Sequence, residues 1–123
     1  MPYSLTSEPP FLRIVLSGPI TGHELQLLGD ELEAIEMRSL VVPNRLTDFS
    51  AMTEPHPTYP DVRALAERRK AQILANAVKS ALVAPRPIHL GFARMFQALN
   101  EHPQIIVEIF ATVEAAEAWL HAE

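Results

Sequence analysis

ALVAPRPIHLGFARMFQALNEHPQIIVEIFATVEAAEAWL, residues 81–120, decides the fold. The apolar run Ala81-Leu82-Val83-Ala84 stops at Pro85-Arg86-Pro87, and a helix is predicted over residues 90–100. There Phe92, Met95, Phe96 and Leu99 recur at spacings of three and four, so they should face a sheet while Arg94 and Gln97 face elsewhere. Residues 105–110 form a second apolar run. Thr112 then caps a closing helix with Glu114 in its first turn and Val113, Ala116, Trp119 and Leu120 on its apolar side. Trp119 should anchor the C-terminus by packing. Strand, helix, strand, helix at this spacing is one repeat of a parallel α/β architecture.

Toward the N-terminus the same alternation continues. Phe11-Leu12-Arg13-Ile14-Val15-Leu16 is rich in branched residues and reads as a strand; residues 3–7 alternate weakly and should pair with it as an antiparallel edge hairpin. Ser17-Gly18-Pro19 should break that strand. Thr21 and Glu24 have capping-box spacing, and Ile20 with Leu25 can form a hydrophobic staple. Leu25, Leu28, Leu32 and Ile35 then carry a helix to about Met37, with Glu24, Glu31 and Glu33 off its apolar stripe. Pro43 suits the start of a strand over residues 44–49, which leaves Asp48 near its carboxyl end. Residues 50–60 hold Pro55, Pro57 and Pro60 and should be irregular. Pro60 fits the first turn of a helix whose buried side is marked by Val62, Leu65, Ala66, Ile73 and Ala77. The expected whole is α/β: a mostly parallel five-stranded sheet with an N-terminal antiparallel edge hairpin and about four helices, one domain over residues 1–123.

Composition limits the function classes. Among the 123 residues 48% are hydrophobic and 20% charged, enough for a core, and the net charge of −5 repels a polyanion, so no nucleic-acid partner is expected. Arg63, Arg68, Arg69, Lys70 and Lys79 gather in one predicted helix with Asp61 and Glu67 among them, which reads as a solvated face. No run is long and apolar enough to cross a bilayer, and Met1-Pro2-Tyr3-Ser4 lacks a basic region before an apolar one, so a cytoplasmic protein without membrane insertion is expected. With no cysteine, thiol chemistry and disulfides are excluded.

In an open parallel sheet the polar groups converge beyond the carboxyl ends of the strands. The loops over residues 17–23, 48–60 and 85–89 should therefore share one edge. That edge would collect Asp48, Ser50, Thr53, His56, Thr58, Arg86 and His89 as binding candidates, with Ser17, Thr21 and His23 beside them. His23, His56 and His89 lack the close ligand pairs of metal sites, and no phosphate loop or nucleophile elbow is present, so no catalytic residue, metal or cofactor is expected. Thr58, with Asp61 three residues on, can cap the following helix, and a phosphate there would meet the helix dipole favourably. Pro57-Thr58-Tyr59-Pro60 has the spacing that proline-recognising grooves read, and also serves as a stiff lead-in to a helix.

Three segments carry a family resemblance. Leu46-Thr47-Asp48-Phe49-Ser50 is similar to the strand-ending Asp-aliphatic-Ser segment of the STAS superfamily; Gly91-Phe92-Ala93-Arg94-Met95-Phe96-Gln97-Ala98-Leu99 and the stretch from Val107 to Trp119-Leu120 resemble the helix and closing strand and helix of its SpoIIAA-like branch, the bacterial STAS/SEC14-domain proteins. The resemblance spans residues 12–120. It implies a helix-packed sheet, no catalytic apparatus, and use as a regulatory protein-interaction module of the bacterial cytoplasm. In the anti-sigma-factor antagonists of that superfamily a Ser in an Asp-Ser-x-Gly segment is phosphorylated to switch partner binding; this chain has Thr53-Glu54-Pro55-His56-Pro57-Thr58-Tyr59-Pro60 there, so Ser50, Thr53 and Thr58 stand in by position. The expected partner is a protein held at the loop edge. A small apolar, lipid-like ligand near Phe92, Met95 and Phe96 is the alternative, and a homodimer through the hairpin strand or a helix face is a further expectation.

Overall fold

In the computed structural model, which describes residues 3–122, the apolar runs pair into one sheet. Tyr3–Glu8 (β1) and Phe11–Pro19 (β2) form the antiparallel hairpin; Gly22–Arg38 (α1) leads to Asn44–Thr53 (β3), Tyr59–Lys70 (α2) to Val78–Val83 (β4), Pro87–Leu99 (α3) to Ile105–Phe110 (β5), and Val113–His121 (α4) follows. The strands lie side by side in sequence order, and β2 through β5 are parallel. A parallel step needs a long crossover, which each of α1, α2 and α3 supplies. Ile14, Leu46 and Val83 therefore sit on strands running the same way, as expected.

Register decides what each face buries. Ile14, Thr47, Leu82 and Ile109 form one row across the sheet, and Val15, Asp48, Val83 and Phe110 the next. Successive side chains point to opposite faces. The first face is covered by α1, α2 and α3 through Leu25, Leu28, Leu32, Val62, Leu65 and Phe92, with the Phe49 and Phe92 rings edge to face at 5.3 Å. The second carries α4, whose Ala116 and Leu120 pack on Leu46, Ala81 and Val83. Trp119 packs on Phe110 and lies under the Lys79 ammonium, which donates to the Trp119 and Ala122 carbonyls at 3.1 and 2.8 Å.

Several expectations shift. β2 runs on through Ser17-Gly18-Pro19 because Gly18 takes φ 71°, open to glycine, and a bulge between Val15 and Ser17 keeps the pairing with β3. β3 likewise continues to Thr53, so Asp48 lies mid-strand rather than near its end, and residues 50–53 are regular. The box at Thr21 does not form: the Thr21 hydroxyl donates to the Glu24 carboxylate, which this bond holds below its ordinary pKa, and leaves the backbone uncapped. α2 ends at Lys70, so Ile73 and Ala77 lie beyond it in an irregular connection, Ile73 94% exposed, and Leu74 is the buried residue. α3 begins at Pro87, three residues early, since proline at a first helical position loses no hydrogen bond.

The expected solvated basic face is the largest correction. Lys79 is on β4, and Arg68 and Arg69 turn onto α1. Arg68 forks onto Glu33 with two bonds of 2.8 Å and also reaches Asp30, while Arg69 and Arg45, both buried, share Glu36. Hydrogen bonds to Glu33 and then Asp30 raise the Arg68 pKa. Burial alone would raise the Glu36 pKa, but the bonds and charges of Arg69 and Arg45 outweigh it and hold the carboxyl low.

Candidate functional site

Three connections meet at the carboxyl end of the parallel strands. The Ile20 amide, just after β2, donates to the Pro55 carbonyl in the β3–α2 loop at 3.1 Å. Gly22 then opens α1 directly against Asp61 of α2; a methyl group there would collide with the Asp61 carboxylate and push it out of the cap of α2. His89, in the first turn of α3, is 1% exposed and places Nε2 3.1 Å from the Met52 carbonyl. Its ring stands edge-on to His56 with centroids 6.5 Å apart. The carbonyl contact makes Nε2 the donor of His89; its Nδ1 and His56 Nε2 are buried without a hydrogen-bond partner among the described residues.

Thr58 sits at the exposed centre of this edge. Its hydroxyl accepts from the Asp61 amide at 3.4 Å, and the Asp61 carboxylate accepts from the Thr58 amide at 2.9 Å, a complete capping box with Pro60 just inside the helix. The spacing read from Thr58 and Asp61 is thus realised here. Asp61 couples the box to α1 through its contact with Gly22, a link that no spacing in the sequence announces.

The remaining candidates divide. Thr53, at the end of β3, and Arg86, at the N-cap of α3, are exposed on the same edge, as are Ser17, Thr21 and His23 along the β2–α1 side. Asp48 and Ser50 are not part of it: Asp48 lies in the row with Val15 and Val83, on the α4 face, where its Oδ1 accepts from the Ser50 amide at 2.9 Å. Thr53, His56, Thr58, Arg86 and His89 are therefore the group brought together. Among the described residues no cluster of three or more His, Asp or Glu has metal-binding geometry, and no helix is long and apolar enough to cross a membrane.

Between the first face of the sheet and its helices is a cavity of about 80 Å³, bordered by Leu28, Phe49, Leu65, Phe92 and Phe96, with Arg45 among its polar lining. Phe92 and Phe96, read as facing the sheet, do border it, but as part of a packed interior.

A scan against protein-family models finds no match, and a search of curated proteins finds none. Among solved structures, the chain is similar to an uncharacterised protein of the DUF3478 family with a SpoIIAA-like fold from Shewanella loihica PV-4, at 13% identity and TM-score 0.63, covering 96% of this chain and 91% of that one. It is similar also to the anti-sigma factor antagonist SpoIIAA in its unphosphorylated form, at 15% identity and TM-score 0.63, covering 98% of this chain and 99% of that one. The fold is SpoIIAA-like over nearly its whole length, in agreement with the resemblance read from the sequence.

Proposed function

We propose that this chain is a non-enzymatic regulatory module that binds a partner protein through the carboxyl edge of its sheet, with Thr58 at the centre of the contact. The observation that carries this reading is the joining of three separate connections into one surface, through Ile20 with Pro55, Gly22 with Asp61, and His56 with His89, while Thr53, Glu54, Thr58, Tyr59 and Arg86 stay exposed on it. Side chains that need no solvent hold the edge; those left outside are free to meet a partner. The fold it shares with an anti-sigma factor antagonist supports a regulatory use, and the absence of a catalytic constellation in the sequence agrees with a binding role.

Of the three hydroxyls considered for phosphorylation, Thr58 fits best. Ser50 is half-buried inside β3, and Thr53 caps nothing, whereas Thr58 is exposed and bonded to Asp61 at the start of a 12-residue helix. A phosphate there adds about −1.5 to −2 charge beside the Asp61 carboxylate, so the box opens and the edge becomes more negative. A carrier of an apolar ligand at Phe92 and Phe96 is less well supported: the cavity they border, about 80 Å³, is smaller than the roughly 150 Å³ that a benzene-sized guest occupies.

The test is affinity capture from native lysate with tagged wild type, Thr58→Ser, Thr58→Glu and Arg86→Glu. A protein retained by the first two baits and lost with the last two supports the reading. Captured proteins indifferent to both charge changes contradict it.

A further inference from the structure

The opposite end of the sheet is built the other way round. Residues 39–43, 71–77 and 100–104 connect the helices to the amino ends of β3, β4 and β5, and across these three connections the only ionisable side chains are exposed Glu101 and buried His102. Their polar side chains are turned inward. Asn76 Oδ1 accepts from the Val42 amide at 2.7 Å while its Nδ2 donates to the Val42 carbonyl at 3.0 Å; Gln104 does the same to Leu74, at 2.9 and 2.7 Å; buried His102 places Nε2 2.6 Å from the Gln72 carbonyl. Side-chain amides thus stitch the three connections into one rigid surface.

Val42 and Leu74 pack inward, but the other large apolar side chains at this end are turned outward. Leu40 is 95% exposed, Ile73 94%, Met37 85% and Val41 74%, and Ile106 at the start of edge strand β5 is 56% exposed. A buried aliphatic side chain is worth about 1.5–3 kcal/mol at about 25 cal/mol per Å², so each of these carries on the order of 60–120 Å² of apolar surface. Together they expose on the order of 400 Å², within the roughly 300–600 Å² of the largest apolar patch on a monomer, a patch that is often functional.

We propose that this amino edge is a homodimer interface, closed by a second copy of the same chain. Two such edges face to face cover roughly twice that apolar area and, with the loop backbone around it, about the 1,000–1,200 Å² at which specific interfaces begin. An uncharged surface brings no like charges together when it meets itself. Its border holds both signs, Arg38 at the end of α1 and the Lys70–Glu101 pair at 3.6 Å, so a two-fold axis can set Glu101 of one copy against Arg38 of the other. A lipid surface fits less well: the net charge of −5 repels anionic headgroups, and the patch carries neither Trp nor Tyr, the residues enriched at the membrane interface. Rigid stitching also favours a shaped protein contact, since little ordering remains to be done on association.

The test is sedimentation equilibrium of the wild type and of Ile73→Asp with Val41→Asp from low to high micromolar concentration, with circular dichroism to follow the fold. The expected result is a concentration-dependent doubling of mass in the wild type and at least a tenfold weaker association in the variant, with the same spectrum. Because the chain has no cysteine, Ile73→Cys gives an independent readout: under mild oxidation it should form a disulfide-linked dimer faster than Glu54→Cys, placed on the other edge. A wild type that stays monomeric overturns the proposal, as does a dimer unmoved by the aspartates. So does binding to phosphatidylcholine–phosphatidylglycerol vesicles that the aspartates abolish while the wild type stays monomeric.

Discussion

At the carboxyl end of the sheet the outward side chains are mostly polar, Thr53, Glu54, Thr58 and Arg86, with Tyr59 and Ile88 half exposed among them; at the amino end they are Leu40, Val41 and Ile73, each far more exposed than a core aliphatic. Both ends are made of short connections between the same strands and helices. They differ in where the hydrogen-bonding side chains go. At the amino end Asn76, His102 and Gln104 satisfy buried backbone groups, so the apolar residues of those loops are left to the outside. At the carboxyl end backbone meets backbone between Ile20 and Pro55, and Thr58 and Asp61 close a helix cap, so polar groups remain at the surface. A loop's outward chemistry is the complement of what its own backbone demands.

The strongest way to break the amino end acts from beneath it. Glu36, with a side chain 6% exposed, is the carboxylate shared by buried Arg45 and Arg69, so Glu36→Gln leaves buried Arg45 without a counter-charge and Arg69 with only Glu33 at 3.7 Å, and should cost about 3–5 kcal/mol in urea unfolding. The same group predicts a pH dependence. Its pKa is lower in the folded chain than the ordinary 4.5, so the stabilisation is present above that pH and is lost as pH falls through the folded value. Acid titration of unfolding free energy should show that loss in the wild type and a flatter profile in Glu36→Gln.

A smaller loss follows from cutting the stitches. Asn76→Ala leaves an amide and a carbonyl of Val42 unpaired and should cost about 1–3 kcal/mol, raising hydrogen exchange at Val42. At the other end, Thr58→Ala removes the cap of α2 and should cost about 1 kcal/mol, with Thr58→Ser near neutral. Smallest of all is Ile73→Asp: an aliphatic residue 94% exposed contributes little to the fold, so the unfolding free energy of the isolated monomer should change by less than about 0.5 kcal/mol. A large loss there would mean that the apolar edge is held together from outside rather than by Asn76 and Gln104.

The architecture was legible because its signals are periodic. Leu25, Leu28 and Leu32, and the runs ending at Leu16, Phe49, Val83 and Phe110, place helices and parallel strands without reference to distant residues. Strand ends were less so: Gly18 and Pro19 look like a break, yet a glycine with φ of 71° and a bulge let β2 continue. Most of the candidate site was readable, since parallel topology alone brings residues 53–58 and 86–89 to one edge. Asp48 and Ser50 fell outside because β3 runs on to Thr53, which leaves both inside the strand, and alternation puts Asp48 on the α4 face with Leu46. The arginines of α2 and the inverted amino edge were not readable, since both depend on partners more than 25 residues away, Glu33 for Arg68 and Val42 for Asn76.

The difference between the two edges is tested most directly by a capture with three tagged baits, wild type, Thr58→Glu and Ile73→Asp with Val41→Asp, from lysate to which an untagged copy of the chain has been added. The account predicts that the first variant loses its protein partner and keeps the untagged copy, while the second keeps the partner and loses the copy. Loss of both by either variant, or of neither by both, would contradict a molecule that meets its partner at one end of the sheet and itself at the other.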